Sequence, residues 1–297
     1  MSYSKPWGSS HPGCVIFLVD QSGSMTDPFG GNAFGAGRRK MDAVATVLNN
    51  CINEMGRRCV KGAVVSPRVH VAVIGYGGDR AKSVLPGALA GKELVPINEL
   101  MENPLRVENR IRKDMDDTGQ LIEYTVDFPV WVEPVGDGAT PMTDALELAR
   151  RIAESWIPAH RDSFPPIVIN ITDGQATDGD PSEPAWRLRQ LETDDGNVLL
   201  FNCHISETPE NEVLYPAPGD PLPRDTFAQL LFDMSSELPD SMRLLAMEMG
   251  VKRDIKVGAR GFVYNTDVSG VTKMIQFATV QRLAPEADMG TGVAADR

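Results

Sequence analysis

Six short apolar runs punctuate the chain: CVIFLVD (14–20), RVHVAVIGYGG (68–78), FPVWVEPV (128–135), PIVINITDG (166–174), NVLLFNCHIS (197–206) and RGFVYN (260–265). They are rich in Val, Ile and Leu and do not alternate strictly with polar residues, which suits strands covered on both faces. Between the first two runs, Met41, Val44, Ala45, Leu48, Cys51, Ile52 and Met55 recur at helical spacing, with Asp42, Asn49, Asn50, Asn53 and Glu54 mostly on the other side. That spacing predicts an amphipathic helix. Leu146, Ala149, Ile152, Ala153 and Trp156 repeat the pattern, and further helices are expected over 183–191, 226–249 and 268–280.

Strands alternating with helices specify an α/β domain with a mostly parallel sheet and helices on both faces. Ligands of such sheets gather at the carboxyl ends of the strands, where Asp20 and Asp173 fall. Residues 79–127 carry little periodicity and read as an insertion holding one strand and a charged helix around 106–115. Residues 1–12 precede the domain (13–281), and 282–297 form a small, polar tail expected to be loose.

Composition narrows the function. The chain has 297 residues, 42% hydrophobic and 24% charged, as in soluble globular proteins. Its formal net charge of -12 argues against nucleic acid, which needs a concentrated positive surface. Of the 4 cysteines, three sit in apolar patterns and none forms a CxxC pair, so a structural zinc is not expected. No apolar run approaches a membrane span and no leader is apparent, so a reduced, cytoplasmic setting is expected.

The chemistry begins where the first run stops. In DQSGSMTD, Asp20, Ser22 and Ser24 place oxygens at alternate positions just past a buried strand. A phosphatase-type aspartate nucleophile would need a second acid two residues on, and Ser22 cannot be one. The spacing of Asp114, Asp116 and Thr118 does fit, but the charged NRIRK before it cannot be a buried strand, so a solvated turn is expected there. No Gly-x-Ser-x-Gly elbow and no Gly-Lys-Ser/Thr phosphate loop occurs. A hard, octahedral cation uses every hydroxyl, and it predicts further oxygens from other strand ends. Thr140 in GDGATPMTDAL and Asp173 in INITDGQATD supply them. The plainer alternatives are a helix cap at Thr140 before Pro141 and an ordinary turn at Asp173 and Gly174.

These residues together resemble the von Willebrand factor A domain, whose metal-ion-dependent adhesion site reads Asp-x-Ser-x-Ser, then a distant Thr, then a distant Asp. The wording LVDQSGSM, GATPMTDAL and TDGQATD is most similar to bacterial intracellular members, including those associated with tellurium resistance. The resemblance implies a Rossmann-like α/β/α sandwich with a central, mostly parallel six-stranded sheet and one antiparallel edge strand. It implies that Asp20, Ser22, Ser24, Thr140 and Asp173 hold Mg2+, with Mn2+ or Ca2+ as substitutes, and that an acidic side chain of a protein partner completes the coordination. It further implies a non-enzymatic adaptor or scaffold in a multicomponent system, with an ATPase, kinase or phosphatase partner encoded nearby. The alternative is a metal-dependent phosphoryl-transfer or hydrolytic enzyme, for which Asp27, Asp178 or Asp180 would be the base.

Overall fold

In the computed structural model, residues 3–28, 38–115, 120–205, 212–279 and 283 are described. The first apolar run is strand β1 (Gly13–Asp20), buried along its whole length. Its side chains alternate between two cores: Val15, Phe17 and Val19 face one apolar cluster, and Cys14, Ile16 and Leu18 face the other. Neither face meets water, so hydrophobicity does not alternate along the run.

In chain order there follow α1 (Lys40–Arg58), β2 (Val69–Gly77), β3 (Arg80–Ser83), β4 (Val95–Pro96), α2 (Ile97–Glu102), β5 (Arg106–Met115), β6 (Leu121–Val130) and α3 (Met142–Trp156). The second half contributes β7 (Ile167–Thr172), α4 (Ser182–Gln190), β8 (Leu199–Ile205), β9 (Val213–Leu214), α5 (Thr226–Met234), α6 (Asp240–Glu248), β10 (Phe262–Thr266) and α7 (Val268–Ala278). Val44, Leu48, Ile52 and Met55 of α1 close the first core together with α7. Leu146, Ala149 and Ile152 of α3 close the second together with Phe227 and Leu231 of α5.

The main sheet runs β9-β10-β8-β7-β1-β2-β3, with β4 also paired to β2. The pairings from β10 through β2 are all parallel. The α/β class is therefore as expected, but the sheet has eight strands rather than six. It also has three antiparallel pairings at its margins instead of one. The added strands, β3, β4 and β9, are of four, two and two residues, too short to leave an apolar run in the sequence.

Two further expectations are corrected. Residues 106–115 are a strand, not a charged helix: β5 and β6, ten residues each, form a separate antiparallel hairpin. Val107, Ile111 and Met115 are spaced by four, which fits a helix face and one side of a strand equally well, and the β-branched and aromatic residues of LIEYTVDFPV across the register favour the strand. Lys113 lies opposite Glu123 in that register and pairs with it at 2.5 Å, and the Arg110 guanidinium sits 3.3 Å from the Phe128 ring centroid. The run 128–135 supplies only the end of β6; Trp131 beyond it is fully buried and donates Nε1–H to the Leu100 carbonyl. Likewise the helix expected over 226–249 is two, α5 and α6, separated around Pro239, whose ring cannot continue a helix from the preceding turn.

Residues ahead of β1 are pinned to the body. Trp7 is 1% exposed, its carbonyl accepts from Arg68, and the Asp195 carboxylate accepts the N–H groups of Ser4 and Lys5. The aspartate pattern at Asp114, Asp116 and Thr118 lies partly outside the described residues, and the tail from Ala284 lies wholly outside them.

Candidate metal centre

β1 lies between β7 and β2, and the chain leaves it first toward β2 and only later returns on the other side as β7. The carboxyl ends of β1 and β7 thus flank the crevice at the sheet's topological switch point. Asp20 is the last residue of β1, and Asp173 follows the last residue of β7.

Asp20 is fully buried, and both its oxygens are in use. Oδ1 accepts the Ser22 N–H at 2.9 Å, and Oδ2 accepts the Thr172 hydroxyl at 2.7 Å. A carboxylate offers about four lone-pair directions, so each oxygen keeps one for a cation or a water. Burial pushes the Asp20 carboxyl up to about 6, against the hydrogen bonds from Ser22 and Thr172, which lower it. A buried carboxylate that ionises only at the cost of desolvation gains most from a nearby positive charge.

Ser22 and Ser24 face each other across the alternation, with Oγ to Oγ at 3.1 Å. The Ser24 hydroxyl donates to Asp173 Oδ1 at 2.7 Å, joining residues 149 positions apart. Ser22 is buried and Ser24 exposed, so the mouth of the site is on the Ser24 side.

The loop ahead of Thr140 meets the loop after β1 through its backbone. The Gly138 carbonyl accepts from the Gly23 N–H at 3.1 Å, and the Gln21 carbonyl from Asp137 at 2.7 Å. Gly138 has φ +75, and a Cβ there would stand 2.6 Å from the Gly78 Cα, so only glycine permits this approach. The side chain of Thr140 does not cap α3. That end of the helix is capped by Asp178, whose carboxylate accepts the N–H groups of Thr143 and Asp144 at 3.1 and 2.9 Å. The Thr140 N–H is instead held by the Thr177 hydroxyl at 3.0 Å.

The turn after β7 is closed by Thr172, whose Oγ1 accepts from the Gly174 N–H, and the Asp173 carboxylate is left for Ser24 and for Lys40. Asp180 accepts the Ser182 N–H at the start of α4. Asp27 connects through its backbone, its N–H bonding to Ser24 and its carbonyl accepting the Lys40 N–H, while the residue itself is exposed.

The sequence reading did not single out three groups. Thr172 is one, hidden as a β-branched residue in an apolar run. The second is a buried polar chain on the α3 side: the Tyr76 hydroxyl donates to Asn170 Oδ1 at 2.6 Å, Asn170 Nδ2 to Asn202 Oδ1 at 3.0 Å, and Asn202 Nδ2 to Ser235 Oγ at 3.0 Å. Asparagine inside two otherwise apolar runs was the available signal, and Asn170 and Asn202 are register partners. Lys40, 2.8 Å from Asp173 Oδ2, is the third: in the basic cluster Arg38, Arg39 and Lys40 it reads as part of a solvated helix flank, and the structure buries it instead. Beneath it His204 is held neutral, with burial lowering its pKa to about 4.

Among the described residues no group of three or more His, Cys, Asp or Glu side chains is placed to hold a metal ion. A cation here would rest on two carboxylates and three hydroxyls. Such an oxygen-only set fits a hard ion and excludes a thiolate-bound or imidazole-bound one. The four cysteines are buried. Among the described residues no helix is long and apolar enough to cross a membrane. A cavity of about 630 Å³ lined by Tyr3, Trp186, Arg189 and Leu238 lies at the amino end of β8 and includes none of Asp20, Ser22, Ser24, Thr140 and Asp173.

No family model matches the chain, and neither does any curated protein. Several solved structures are similar to it. The vWF domain of the type V pili tip protein Mfa5 from Porphyromonas gingivalis is 13% identical, with a TM-score of 0.32, over 56% of this chain and 39% of that one. The PilB minor pilin from Streptococcus sanguinis is 11% identical, with a TM-score of 0.43, over 93% of this chain and 63% of that one. An uncharacterized membrane spanning protein from Vibrio fischeri is 18% identical, with a TM-score of 0.26, over 65% and 70%. The chain thus spans less than two thirds of the first two, and likenesses this distant transfer neither family membership nor residue roles. What the chain itself shows is a mixed α/β sandwich, with a mostly parallel central sheet between helical layers.

Proposed function

We propose that the chain is a protein-interaction module whose site, formed by Asp20, Ser22, Ser24, Thr140 and Asp173, takes a divalent cation. The ion is Mg2+, with Mn2+ or Ca2+ as substitutes, and its open position accepts an acidic side chain of a partner protein. The supporting observation is the hydrogen-bonded run from Ser22 through Ser24 to Asp173 beside the buried Asp20, at the carboxyl ends of adjacent parallel strands. Hydroxyls and carboxylates from two distant segments converge there with no histidine or cysteine among them, which is the donor chemistry of a hard ion.

The reading extends to a metal-ion-dependent adhesion site of the kind in bacterial intracellular proteins associated with tellurium resistance. On it the module is a cytoplasmic adaptor or scaffold subunit, with an ATPase, kinase or phosphatase as partner. Of the three carboxylates the hydrolase alternative offers as a base, Asp178 and Asp180 are engaged with the amide groups of α3 and α4, which leaves it Asp27.

Mn2+ paramagnetic resonance tests the cation. Added to the purified protein, Mn2+ should lose its free-ion signal with a stoichiometry of one and be displaced by excess Mg2+, and Asp20→Ala should abolish the effect. Equal uptake by the two proteins would sink the assignment.

A further inference from the structure

Lys40 begins α1, yet its side chain turns into the crevice and not toward solvent. Its Nζ lies 2.8 Å from Asp173 Oδ2, and the two side chains are 6% and 1% exposed. The other Asp173 oxygen is occupied by Ser24. The lysine is anchored in place on the backbone side too, its N–H donating to the Asp27 carbonyl at 3.0 Å, so the start of α1 is tied to the loop that carries Ser22 and Ser24. A buried ammonium beside one of two site carboxylates changes what a divalent ion meets. Asp173 is already neutralised, and Asp20 is the carboxylate whose charge remains for the ion to compensate.

We propose that Lys40 is a resident counter-cation that sets how tightly the site holds its divalent ion, acting through Asp173. By lowering the negative charge of the site it weakens the ion's binding. It also leaves a bound ion with more uncompensated positive charge, which favours an anionic group in the open position. Ion pairing of this kind holds Asp173 in place in the metal-free protein, where an unpaired buried carboxylate would be costly. The proposal rests on the cation reading above and concerns a residue outside its five ligands.

Calorimetric titration with Mg2+ and with Mn2+ of the wild type and of Lys40→Met, Lys40→Arg and Asp20→Ala separates the two. Lys40→Met is expected to bind at least about tenfold more tightly than wild type, the lower end of what one adjacent unit charge does to a carboxylate's cation affinity. Lys40→Arg keeps the charge and should stay within about threefold of wild type. General damage to the site would weaken binding, so a gain is not what a structural role produces. Lys40→Met binding equally or more weakly overturns the proposal, provided thermal melting shows it folded. If methionine is not tolerated there, Lys40→Gln is read in its place with the same expected gain. Unchanged binding by Asp20→Ala overturns the cation reading itself; loss in Asp20→Ala with no gain in the Lys40 variants overturns only the role of Lys40.

Discussion

The Thr172 hydroxyl donates to Asp20 Oδ2 at 2.7 Å across the seam between two parallel strands, so the site's most buried carboxylate is held by the neighbouring strand as well as by its own loop. The same oxygen of Thr172 closes the turn by accepting the Gly174 N–H. Thr172→Val keeps the shape and removes both bonds, leaving a buried carboxylate short of a donor. Stability should fall by about 1–3 kcal/mol, measured by urea unfolding, and cation affinity should fall with it. Wild-type values for both would show that Thr172 carries no weight.

Gly138 gives a second test, of how the threonine loop reaches the site. Alanine would be strained by φ +75 and would meet the Gly78 backbone at 2.6 Å. Neither Gly78 nor Gly138 can relieve the clash by moving a side chain, so the loop itself must shift. Gly138→Ala should cost about 1–3 kcal/mol and weaken cation binding, whereas alanine at half-buried Gly174, with open space where its Cβ would stand, should change stability by less than about 0.5 kcal/mol. Thermal melting of the pair decides, and equal melting temperatures would contradict the backbone contact.

Asn49, on the polar side of α1 in sequence, is 3% exposed and clamps the base of the hairpin. Its Oδ1 accepts the N–H groups of Trp131 and Val132, and its Nδ2 donates to the Val132 carbonyl. Asn49→Leu leaves these buried backbone groups unpaired and should cost about 2–4 kcal/mol. Hydrogen exchange at the Trp131 and Val132 amides is the local readout, and protection equal to wild type would refute the clamp.

His70 is expected to contribute to acid sensitivity from the opposite edge of the strands, alongside His204. Its Nδ1 accepts Trp156 Nε1–H at 2.8 Å, and burial, aided by repulsion from His160, lowers its pKa to about 4. The folded value lies below the ordinary one of 6.5, so the unfolded chain takes up the proton first. The stabilisation is therefore complete above about pH 6.5 and is lost as the pH falls toward 4, by about 1–2 kcal/mol after allowance for the ring's partial exposure. Urea unfolding at pH 7.5 and 5.0 should show this loss in the wild type and a smaller one in His70→Asn. An equal loss in both would assign the acid sensitivity elsewhere.

The sequence was most legible where one residue type performs one job. Runs buried on both faces, such as 14–20 and 166–174, carry their strand identity in their own composition, and helical spacing marks α1 and α3 because one face of each must be apolar. Asp20, Ser22, Ser24, Thr140 and Asp173 stand out as a set: a helix cap or a turn accounts for Thr140 or Asp173 singly, but not for all five in this order. Residues 106–115 suit a helix and a strand alike, because Val107, Ile111 and Met115 satisfy a period of four whether the backbone is coiled or extended, and the partner strand that decides lies further along the chain. The short marginal strands escaped for a related reason: two residues cannot show a period.

The sequence alone therefore determined the α/β class and the oxygen-rich chemistry of the strand ends, since both follow from local composition and spacing. Only the tertiary structure decided that Thr172 steadies Asp20, that Asp178 caps α3, and that Lys40 meets Asp173 across 133 positions. Contacts of that kind depend on which strand lies beside which. Strand order is set by the packing of whole elements and not by any window of residues.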